Sequence, residues 1–350
     1  MAALGLNVAQ DLANLLLTHY ERGKLLMQTV QDRPLVRILR ENQQEFPAGK
    51  DYISEGVQGT FMADTPGFLQ GYTEDDSLVF NQAANALRAQ YPWKEVAANL
   101  IITHTELKKN GISIMDDQKE SRHSGADIDI LADVLENRID DFNESWDRTI
   151  NAMMWQDGTQ DAKKMPGLLS ILTDTPTQGN TGGLARNNYW WWGHRALVGN
   201  NKIVASAADQ TLSRRLRSEI RQLRRYGGKP GVALCGSQFI DALELEVQQK
   251  GVYTMDGFAN EGKTDLGMAK IRMRGLGTFE WDPTMDDLGM GKRCIIMDAS
   301  KIKLRPMAQE DGKVLTPARP YQYMVFLHTK TWTGGMVAKQ LNCHEVIEVG

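Results

Sequence analysis

The sequence of 350 residues has a formal net charge of −4 and is 41% hydrophobic and 24% charged, a composition that is ordinary for a water-soluble protein of one or two domains. It has no apolar run of the ~18 residues that cross a membrane, and its first residues lack the basic segment of a secretion signal. Three widely separated cysteines argue against a disulfide framework, and the negative charge argues against a protein whose main task is to grip nucleic acid.

Residues 1–50 are predicted to form a helical arm. Its first helix spans Asp11–Tyr20, and a second begins at Pro34 and ends before Pro47. Both helices are too short to be stable alone in water. The arm therefore packs on its own domain or docks on a neighbouring copy of the chain, and the residues leave both alternatives open.

Residues 51–110 are predicted to form an extended hairpin that projects from the rest of the chain. Trp93–Glu106 has the composition of its returning strand. The outgoing side is interrupted by glycines, between which lie the aromatic residues Phe61, Phe68 and Tyr72. The segment has too few apolar residues for a core of its own. Long excursions of this kind are functional or disordered, and the returning strand favours an ordered loop.

Ser124–Gly158 is predicted to be one long helix. Ser124 and Asp127 have the spacing of a capping box, Gly158 provides a stop, and apolar residues recur at about 3.6 residues, the period of a straight α-helix. The predicted buried stripe consists of Ile128, Leu131, Leu135, Ile139, Phe142, Trp146, Ile150 and Met153. The acidic outer face includes Asp133, Asp140, Asp141 and Asp147. A helix lying across a sheet explains this pattern better than a free-standing coiled coil, because no second helix of matching length is predicted nearby.

A glycine-rich stretch, residues 163–200, follows the long helix. Four adjacent aromatic residues stand in its middle: Tyr189, Trp190, Trp191 and Trp192. Four neighbouring large side chains cannot all face one core from a single strand or helix. Packing within the chain, a contact between subunits and stacking on nucleobases are the three alternatives.

Asp209–Tyr226 is predicted to be a helix, with Asp209 as its N-cap and two glycines after its end. Its buried stripe consists of Leu212, Leu216, Ile220 and Leu223. Its other faces carry six arginines, namely Arg214, Arg215, Arg217, Arg221, Arg224 and Arg225. These arginines can contact phosphates, or they can form salt bridges with Glu219, Asp209 or an acidic neighbour.

The remainder of the chain is predicted to mix helices with antiparallel strands. A strand at Gly231–Cys235 and a helix at Ser237–Lys250 complete a helix–strand–helix unit. The later strands are predicted at Ile271–Arg274, Thr278–Trp281, Arg293–Asp298, Ile302–Leu304, Tyr321–Trp332 and Met336–Val349. The last two are predicted to form a hairpin with its turn at Gly334-Gly335. The predicted fold class is α+β.

No group of residues has the spacing of a catalytic or ligand-binding motif. None of the six histidines has the i, i+4 spacing of a zinc-binding helix. The GLG sequence at 275–277 lacks the third glycine of a dinucleotide fingerprint. The GMGK sequence at 289–292 has Asp286 and Arg293 where a phosphate loop has glycine and Ser or Thr. We therefore predict no enzyme, no metal site and no cofactor.

Four stretches, in their order and spacing, resemble the major capsid proteins of tailed bacteriophages with the Hong Kong 97-type fold. YPWKEVAANLIITHTELKKNG, at 91–111, looks like the segment that leaves the family's extended loop, and the long helix is similar to the family's spine helix. GLLSILTDTPTQGNTGGLARNNYWWWGHR, at 167–195, is similar to a glycine-rich stretch ending in tryptophans, with Trp192-Gly193 where many relatives carry Trp-Arg. VFLHTKTWTGGMVAKQLNCHEVIEV, at 325–349, resembles the family's closing strands.

The resemblance implies an N-terminal arm (1–50), an extended loop (51–98), a peripheral domain with the spine helix (99–162, helix at about 125–157), an axial domain (163–315) and closing strands of the peripheral domain (316–350). It implies a non-enzymatic subunit whose hexamers and pentamers form an icosahedral shell around double-stranded DNA. The implied location is the virion, after assembly in the host cytoplasm. The implied partners are further copies of the chain, a separate scaffolding protein, a portal and weakly contacted DNA.

The candidate interface and charge-pairing residues follow from this interpretation. The candidate subunit-interface residues are Phe61, Phe68, Tyr72, Tyr189, Trp190, Trp191, Trp192, Asp140 and Asp141. The six arginines pair with other charges or face DNA. Two other functions stay open: a nucleic-acid-binding protein that uses residues 209–226, and a cellular encapsulating compartment of the same fold.

Overall fold

The computed structural model describes residues 29–64, 68–77, 86–103, 105, 109, 125–206, 208–249, 273, 276–315 and 325–350, with backbone alone at 125–136, 247–249 and 326. These residues fall into two compact units. Of the described residues, the first unit contains 29–31, 96–150 and 312–332, and the second contains the rest. The helix predicted at Asp11–Tyr20, the cap predicted at Ser124 and all but Met273 of the strand predicted at Ile271–Arg274 lie outside the described residues.

The helices and strands of the described residues have the following bounds. The helices are α1 (Pro34–Glu41), α2 (Gly125–Trp155), α3 (Leu168–Ile171), α4 (Thr211–Arg224), α5 (Ser237–Gln249) and α6 (Pro283–Asp287), with 3₁₀ turns at Met62–Asp64 and Gly199–Asn201. The strands are β1 (Tyr52–Val57), β2 (Leu87–Pro92), β3 (Lys94–Thr103), β4 (Asn180–Thr181), β5 (Leu184–Ala185), β6 (Arg195–Leu197), β7 (Val232–Cys235), β8 (Thr278–Trp281), β9 (Arg293–Met297), β10 (Ile302–Pro306), β11 (Lys313–Leu315), β12 (Val325–Ala338) and β13 (Glu345–Glu348).

In the first unit, the long helix α2 packs on strand β12. The ring of Phe142 meets that of His328 edge-on, with 5.6 Å between the ring centroids. Nζ of Lys330 lies 5.3 Å from the centroid of the Trp146 ring. Strand β12 pairs with β3 and runs antiparallel to β11. The prediction of a long helix lying across a sheet is therefore confirmed.

Among the described side chains of α2, the buried stripe is shorter than predicted. Phe142, Trp146 and Ile150 are buried, but Ile139 is 37% exposed. The two large rings make the contacts with β12, and Ile139 lies one turn before them. Its predicted burial is therefore wrong, because matching the helical period does not ensure that a partner covers every turn.

The second unit is built on a five-stranded sheet with the order β6-β13-β9-β7-β8. Strand β13 runs parallel to β6, and β7 runs parallel to β8, while β9 is antiparallel to both of its neighbours. The central strand β9 is apolar, and Cys294, Ile295, Ile296 and Met297 are all 0% exposed. Burial on both faces explains a continuous apolar run rather than an alternating one.

Helices α4 and α5 cover one face of this sheet. The predicted stripe of α4, Leu212, Leu216, Ile220 and Leu223, is buried in one cluster with Phe239, Leu243 and Phe279. The turn after the helix contains Gly227 at a φ of +79°, a conformation that suits glycine at a helix end. The predicted helix–strand–helix unit is confirmed by α4, β7 and α5.

The hairpin predicted at Gly334-Gly335 is wrong. Both glycines lie inside the single strand β12, where they pair with Pro306 and Arg305 of β10. A Cβ atom on Gly335 would lie 2.8 Å from the carbonyl oxygen of Pro92. The glycine therefore permits a close approach of two backbones and makes no turn.

The predicted position of the last strand is also wrong. Met336–Val349 is predicted to be one strand paired with the strand before it, but residues 336–338 belong to β12 itself, and β13 lies between β6 and β9 in the second unit. Val346 is 1% exposed and Ile347 is 0% exposed. An apolar strand of this kind fits either sheet, and only the three-dimensional pairing decides between them.

Helix α1 packs within its own unit. Leu35 and Leu39 are 0% exposed, and the segment after the helix pairs with β10, with the Phe46 amide donating to the Pro306 carbonyl at 3.0 Å. For this part of the arm, packing within the chain is the alternative that the structure shows.

Candidate assembly surfaces

The hairpin of β1 and β2 has a buried base. The strands pair antiparallel from Tyr52 opposite Pro92 to Val57 opposite Leu87. The predicted hairpin is present, but the prediction that Trp93–Glu106 is its returning strand is wrong, because the hairpin returns through β2 and the following strand β3 pairs with β12. Inward-facing residues alternate along both strands, so that Ile53, Val57, Ala89 and Tyr91 are buried. The Tyr91 hydroxyl donates to the carbonyl oxygen of Ala338 at 2.8 Å, which attaches the hairpin base to β12.

The tip of this hairpin exposes apolar side chains. Phe61, Phe68 and Tyr72 are exposed, as are Met62 and Leu69. We call these five residues the tip group. The sequence identifies the three aromatic residues but misses Met62 and Leu69, whose type alone carries no signal of exposure. Several large apolar side chains exposed in one loop make it a candidate interaction site.

The four adjacent aromatic residues divide between the interior and the surface. Trp191 and Trp192 are buried, whereas Trp190 is 71% exposed. The Trp192 Nε1 donates to the carbonyl oxygen of Thr181 at 3.0 Å. The Trp191 ring lies against Gly59, where a Cβ atom would come within 1.8 Å of the ring. Two of the tryptophans thus pack within the chain, and Trp190 is free for a contact outside it.

Trp190 has an aromatic neighbour at the end of the arginine helix α4. The centroids of the Trp190 and Tyr226 rings are 6.1 Å apart. The guanidinium of Arg225 lies 5.5 Å from the centroid of the Tyr226 ring, within the range of a cation–π contact. The sequence does not indicate Tyr226 as part of this surface, because 36 positions separate it from Trp190.

A distant carboxylate caps the N-terminus of α4. The predicted N-cap, Asp209, is wrong: the cap position is Gln210, with a left-handed φ of +52° and no side-chain cap bond. Glu246 of α5 instead accepts the amides of Leu212 and Ser213, both at 2.8 Å. A buried carboxylate satisfies the free amides and the positive end of the helix dipole.

The six arginines of α4 have different environments. Arg215 forms an ion pair with Glu219 at 3.0 Å, and Arg225 contacts Tyr226. The other four are exposed and have no side-chain partner among the described residues. They recur at steps of three and four along one face and are Arg214, Arg217, Arg221 and Arg224, which we call the arginine stripe.

The acidic face of the long helix is partly engaged within the chain. Glu144 lies 3.9 Å from Arg148, and Asp140 and Asp147 also have interaction partners. Asp141 is exposed. Of the two predicted interface carboxylates, Asp141 is thus the more available to another molecule.

The polar groups near the sheet have structural surroundings. His194 Nε2 lies 2.6 Å from the carbonyl oxygen of Thr173, and His344 Nδ1 accepts the Asp298 amide at 3.2 Å. Burial lowers the pKa of each imidazole to about 4. An open cleft of about 370 Å³ has Asp174 and Arg293 on its wall, where they form an ion pair at 3.0 Å.

A metal-binding group and a membrane-spanning helix are both absent from the described residues. No group of three or more His, Cys, Asp or Glu side chains there is placed to hold a metal ion. Nor does any helix in that part of the chain have the length and apolar character needed to cross a membrane.

Comparison with known proteins shows likeness in structure but not in sequence. No family model matches the sequence, and no curated protein matches it. Among solved structures, the capsid of cyanophage A-1(L) aligns with a TM-score of 0.63 over 93% of this chain and 94% of that chain, at 14% identity. The capsid of the myovirus phage XM1 aligns with a TM-score of 0.54 over 93% and 95%, at 9% identity.

A cellular shell protein has a similar structure. An encapsulin from Synechococcus elongatus aligns with a TM-score of 0.50 over 99% of this chain and 96% of that chain, at 12% identity. In all three cases the likeness extends over nearly the full length of both chains. The chain therefore has the α+β fold of these capsid proteins, the Hong Kong 97-type fold.

Proposed function

We propose that the chain is the major capsid protein of a tailed bacteriophage, which self-assembles into hexamers and pentamers and forms an icosahedral shell around double-stranded DNA. The observation that carries this proposal is the structural likeness to a cyanophage capsid over 93% of this chain and 94% of that one. Its role is structural and not catalytic. Its place is the virion, after assembly in the host cytoplasm.

The exposed surfaces support an assembling subunit. The described residues of the second unit do not cover the tip group: Leu69 is 93% exposed and Tyr72 is 72% exposed. Trp190 adds a further large apolar side chain at the surface. A neighbouring copy of the chain would bury these side chains and gain the corresponding hydrophobic free energy.

Assembly itself tests the proposal. The chain is expressed with and without a co-expressed scaffolding protein, and the products are examined by sedimentation and electron microscopy. We expect closed shells or hexameric and pentameric capsomers. A monodisperse monomer at high concentration in both conditions would falsify it. The portal and the separate scaffolding protein are proposed partners, and their binding is measured by co-purification with these particles.

The proposed contact with DNA is weak and independent of sequence. Each phosphate that a protein neutralises adds affinity and steepens the dependence on salt, and a tightly binding inner wall would hinder packaging and release. The net charge of −4 agrees with a wall of low affinity. We infer that the arginine stripe contributes charge pairing between subunits or loose phosphate contacts.

One observation favours a second candidate function, a cellular encapsulating compartment. The encapsulin aligns over 99% of this chain, so the fold alone does not separate the two. The contents of purified particles do: a phage shell protects a DNA molecule of genome length from nuclease, whereas a compartment encloses a protein cargo. Genes for a portal and a large terminase beside the coding sequence would also support the phage shell.

The unpartnered arginine stripe favours a third candidate, a nucleic-acid-binding protein. Replacement of Arg221 and Arg224 by alanine would then abolish DNA binding and leave the oligomeric state unchanged. The matched control replaces Lys163 and Lys164, which are exposed on a loop of the same unit and change the net charge equally. Loss of assembly in the arginine variant, with DNA affinity equal to that of the control, supports the shell.

A further inference from the structure

A buried carboxyl group on β13, the second strand of the five-stranded sheet, has no hydrogen-bond donor in the described part of the chain. Glu345 begins strand β13, where it lies opposite Arg195 of β6 and Ile296 of β9. The residue is 0% exposed. Neither of its carboxyl oxygens has a hydrogen-bond partner among the described residues. An ionised carboxylate in such a place would lose its hydration without compensation.

The neighbouring carboxylate, Glu219 of the arginine helix, is fully satisfied. It is 2% exposed, and its Oε2 lies 2.6 Å from the guanidinium of Arg195. Its Oε1 lies 3.0 Å from the guanidinium of Arg215. Each of its two carboxylate oxygens is thus engaged by a guanidinium.

The remaining groups around Glu345 provide no alternative donor. Strand β9 presents Cys294, a thiol whose own pKa is raised by burial. The adjacent His344 is neutral, since burial lowers its pKa to about 4; its Nδ1 accepts the Asp298 amide, and its Nε2 lies 3.4 Å from the Cys343 sulfur. Both guanidiniums near the site are bonded to Glu219. Besides desolvation, the charge of Glu219 contributes to the raised pKa of Glu345, so the two carboxyl groups are neighbours. Two neighbouring buried carboxyl groups cannot both be ionised without strong repulsion.

We propose that Glu345 is a neutral carboxylic acid at neutral pH and donates a hydrogen bond to the carboxylate of Glu219. The proton makes Glu345 a donor and turns a repulsive contact into a strong charge-assisted hydrogen bond. It thereby joins strand β13 to helix α4 through the Arg195–Glu219–Arg215 group. Desolvation, and secondly the charge of Glu219, raise the pKa of Glu345 well above its ordinary value of 4.5.

The sign of the resulting pH dependence is opposite to that of an ordinary salt-bridged acid. Above about pH 4.5 the unfolded chain releases the Glu345 proton and the folded chain retains it. Each pH unit above that value therefore lowers the folding equilibrium constant about tenfold, until the folded pKa is reached. This contribution is fully present at acid pH and is lost as the pH rises, so Glu345 makes the second unit sensitive to base.

Infrared spectroscopy of the full-length chain, assembled or not, detects the proton directly. A protonated carboxylic acid has a C=O stretch that is distinct from the bands of an ionised carboxylate. We expect this band at pH 7 and its loss in Glu345→Gln. Asp282 is another buried acid with a raised pKa, so Asp282→Asn is the second variant. The proposal is wrong if the wild type lacks the band, or if Asp282→Asn loses it and Glu345→Gln keeps it.

Unfolding by urea provides a second test. Glutamine at 345 keeps the shape and donates to Glu219 without titrating. We expect the ratio of the folding equilibrium constant of Glu345→Gln to that of the wild type to rise about tenfold per pH unit between about pH 5 and pH 7. The matched control is Glu348→Gln on the same strand, which should show no such gain. Equal pH dependence of stability in Glu345→Gln and the wild type contradicts a buried proton. So does a rise in stability on addition of K⁺ or Ca²⁺ that the wild type shows and Glu345→Gln does not.

Both tests are independent of shell formation. A chain that does not assemble can still carry the proton, and a chain that assembles can still lack it. If Glu345→Gln does not accumulate as a folded protein, the band in Asp282→Asn decides alone: its presence supports Glu345 as the protonated acid, and its absence contradicts it.

Discussion

The five-stranded sheet and the tip of the β1–β2 hairpin are both rich in apolar residues, and they bury them to opposite extents. In the sheet, Ile295 and Met297 are 0% exposed, whereas at the tip Phe68 is 60% exposed and Leu69 is 93% exposed. Apolar area removed from water stabilises the fold of the single chain. The exposed area at the tip cannot do so, and we infer that its stabilising effect appears only when a second molecule covers it.

The largest expected effect separates two tryptophans that lie two positions apart. Trp192→Ala should reduce the free energy of unfolding by about 3–5 kcal/mol, because it leaves a cavity and removes the hydrogen bond to Thr181. Trp190→Ala should change it by less than about 0.5 kcal/mol. Urea unfolding followed by circular dichroism measures both. Equal losses would remove the distinction between interior and surface in this segment.

The next effect concerns acid stability of the sheet. The pKa of His344 is lowered to about 4 from an ordinary 6.5, so the unfolded chain takes up a proton at this residue below about pH 6.5 and the folded chain does not. The stability is therefore fully present above pH 6.5 and is lost as the pH falls towards 4, by about 2–3 kcal/mol.

The substitution His344→Asn isolates this contribution. Asparagine retains an acceptor for the Asp298 amide but does not titrate. The variant should lose less stability than the wild type between pH 6.5 and pH 4, as measured by unfolding at a series of pH values. His194→Gln, which keeps a donor for Thr173, is the parallel test. Unchanged slopes in both variants would show that neither buried imidazole governs acid unfolding.

A smaller effect is expected at the cap of the arginine helix. Glu246→Gln removes the charge that faces the amides of Leu212 and Ser213 but keeps one acceptor oxygen, so the free energy of unfolding should fall by about 1–2 kcal/mol. Glu244→Gln, two residues earlier on α5, is the control and should have little effect. Equal losses in the two variants would contradict the capping role.

The smallest effect on folding is expected at the hairpin tip. Phe68→Ala should leave the free energy of unfolding within about 0.5 kcal/mol of the wild type but reduce the yield of assembled particles in sedimentation. Phe239→Ala, in the core cluster, is the matched substitution and should lower the free energy of unfolding. Normal particles from Phe68→Ala would show that this side chain does not form an interface.

Local patterns in the sequence predict most of the described helices and the strand β3 correctly, because their causes lie within a few residues. The period of Leu212, Leu216, Ile220 and Leu223 fixes the buried face of α4, and the composition of 93–106 indicates a strand there, although not that it pairs with β12. The same reasoning fails where a distant residue decides. Glu246, not Asp209, caps α4, and pairing with Arg305 of β10 places Gly335 inside a strand instead of at a turn.

The assembly surfaces are only partly predictable for the same reason. Trp190, Trp191 and Trp192 are identical in type and adjacent in sequence, so no local signal separates the exposed one from the buried two. Gly59, which lies against Trp191, is 132 positions away along the chain, and Thr181, which accepts from Trp192, is 11 positions away. The Glu345–Glu219 contact is equally invisible, since 126 positions separate the two residues.

The place of β13 in the sheet also has a consequence for biosynthesis. Strand β6 ends at Leu197, but its partner β13 leaves the ribosome only after residue 348 has been added, about 150 residues later. At about 5–20 residues per second, β6 waits for about 8–30 s without its neighbour. A chain that stops before Glu345 cannot complete this sheet, so truncated products lack a finished core.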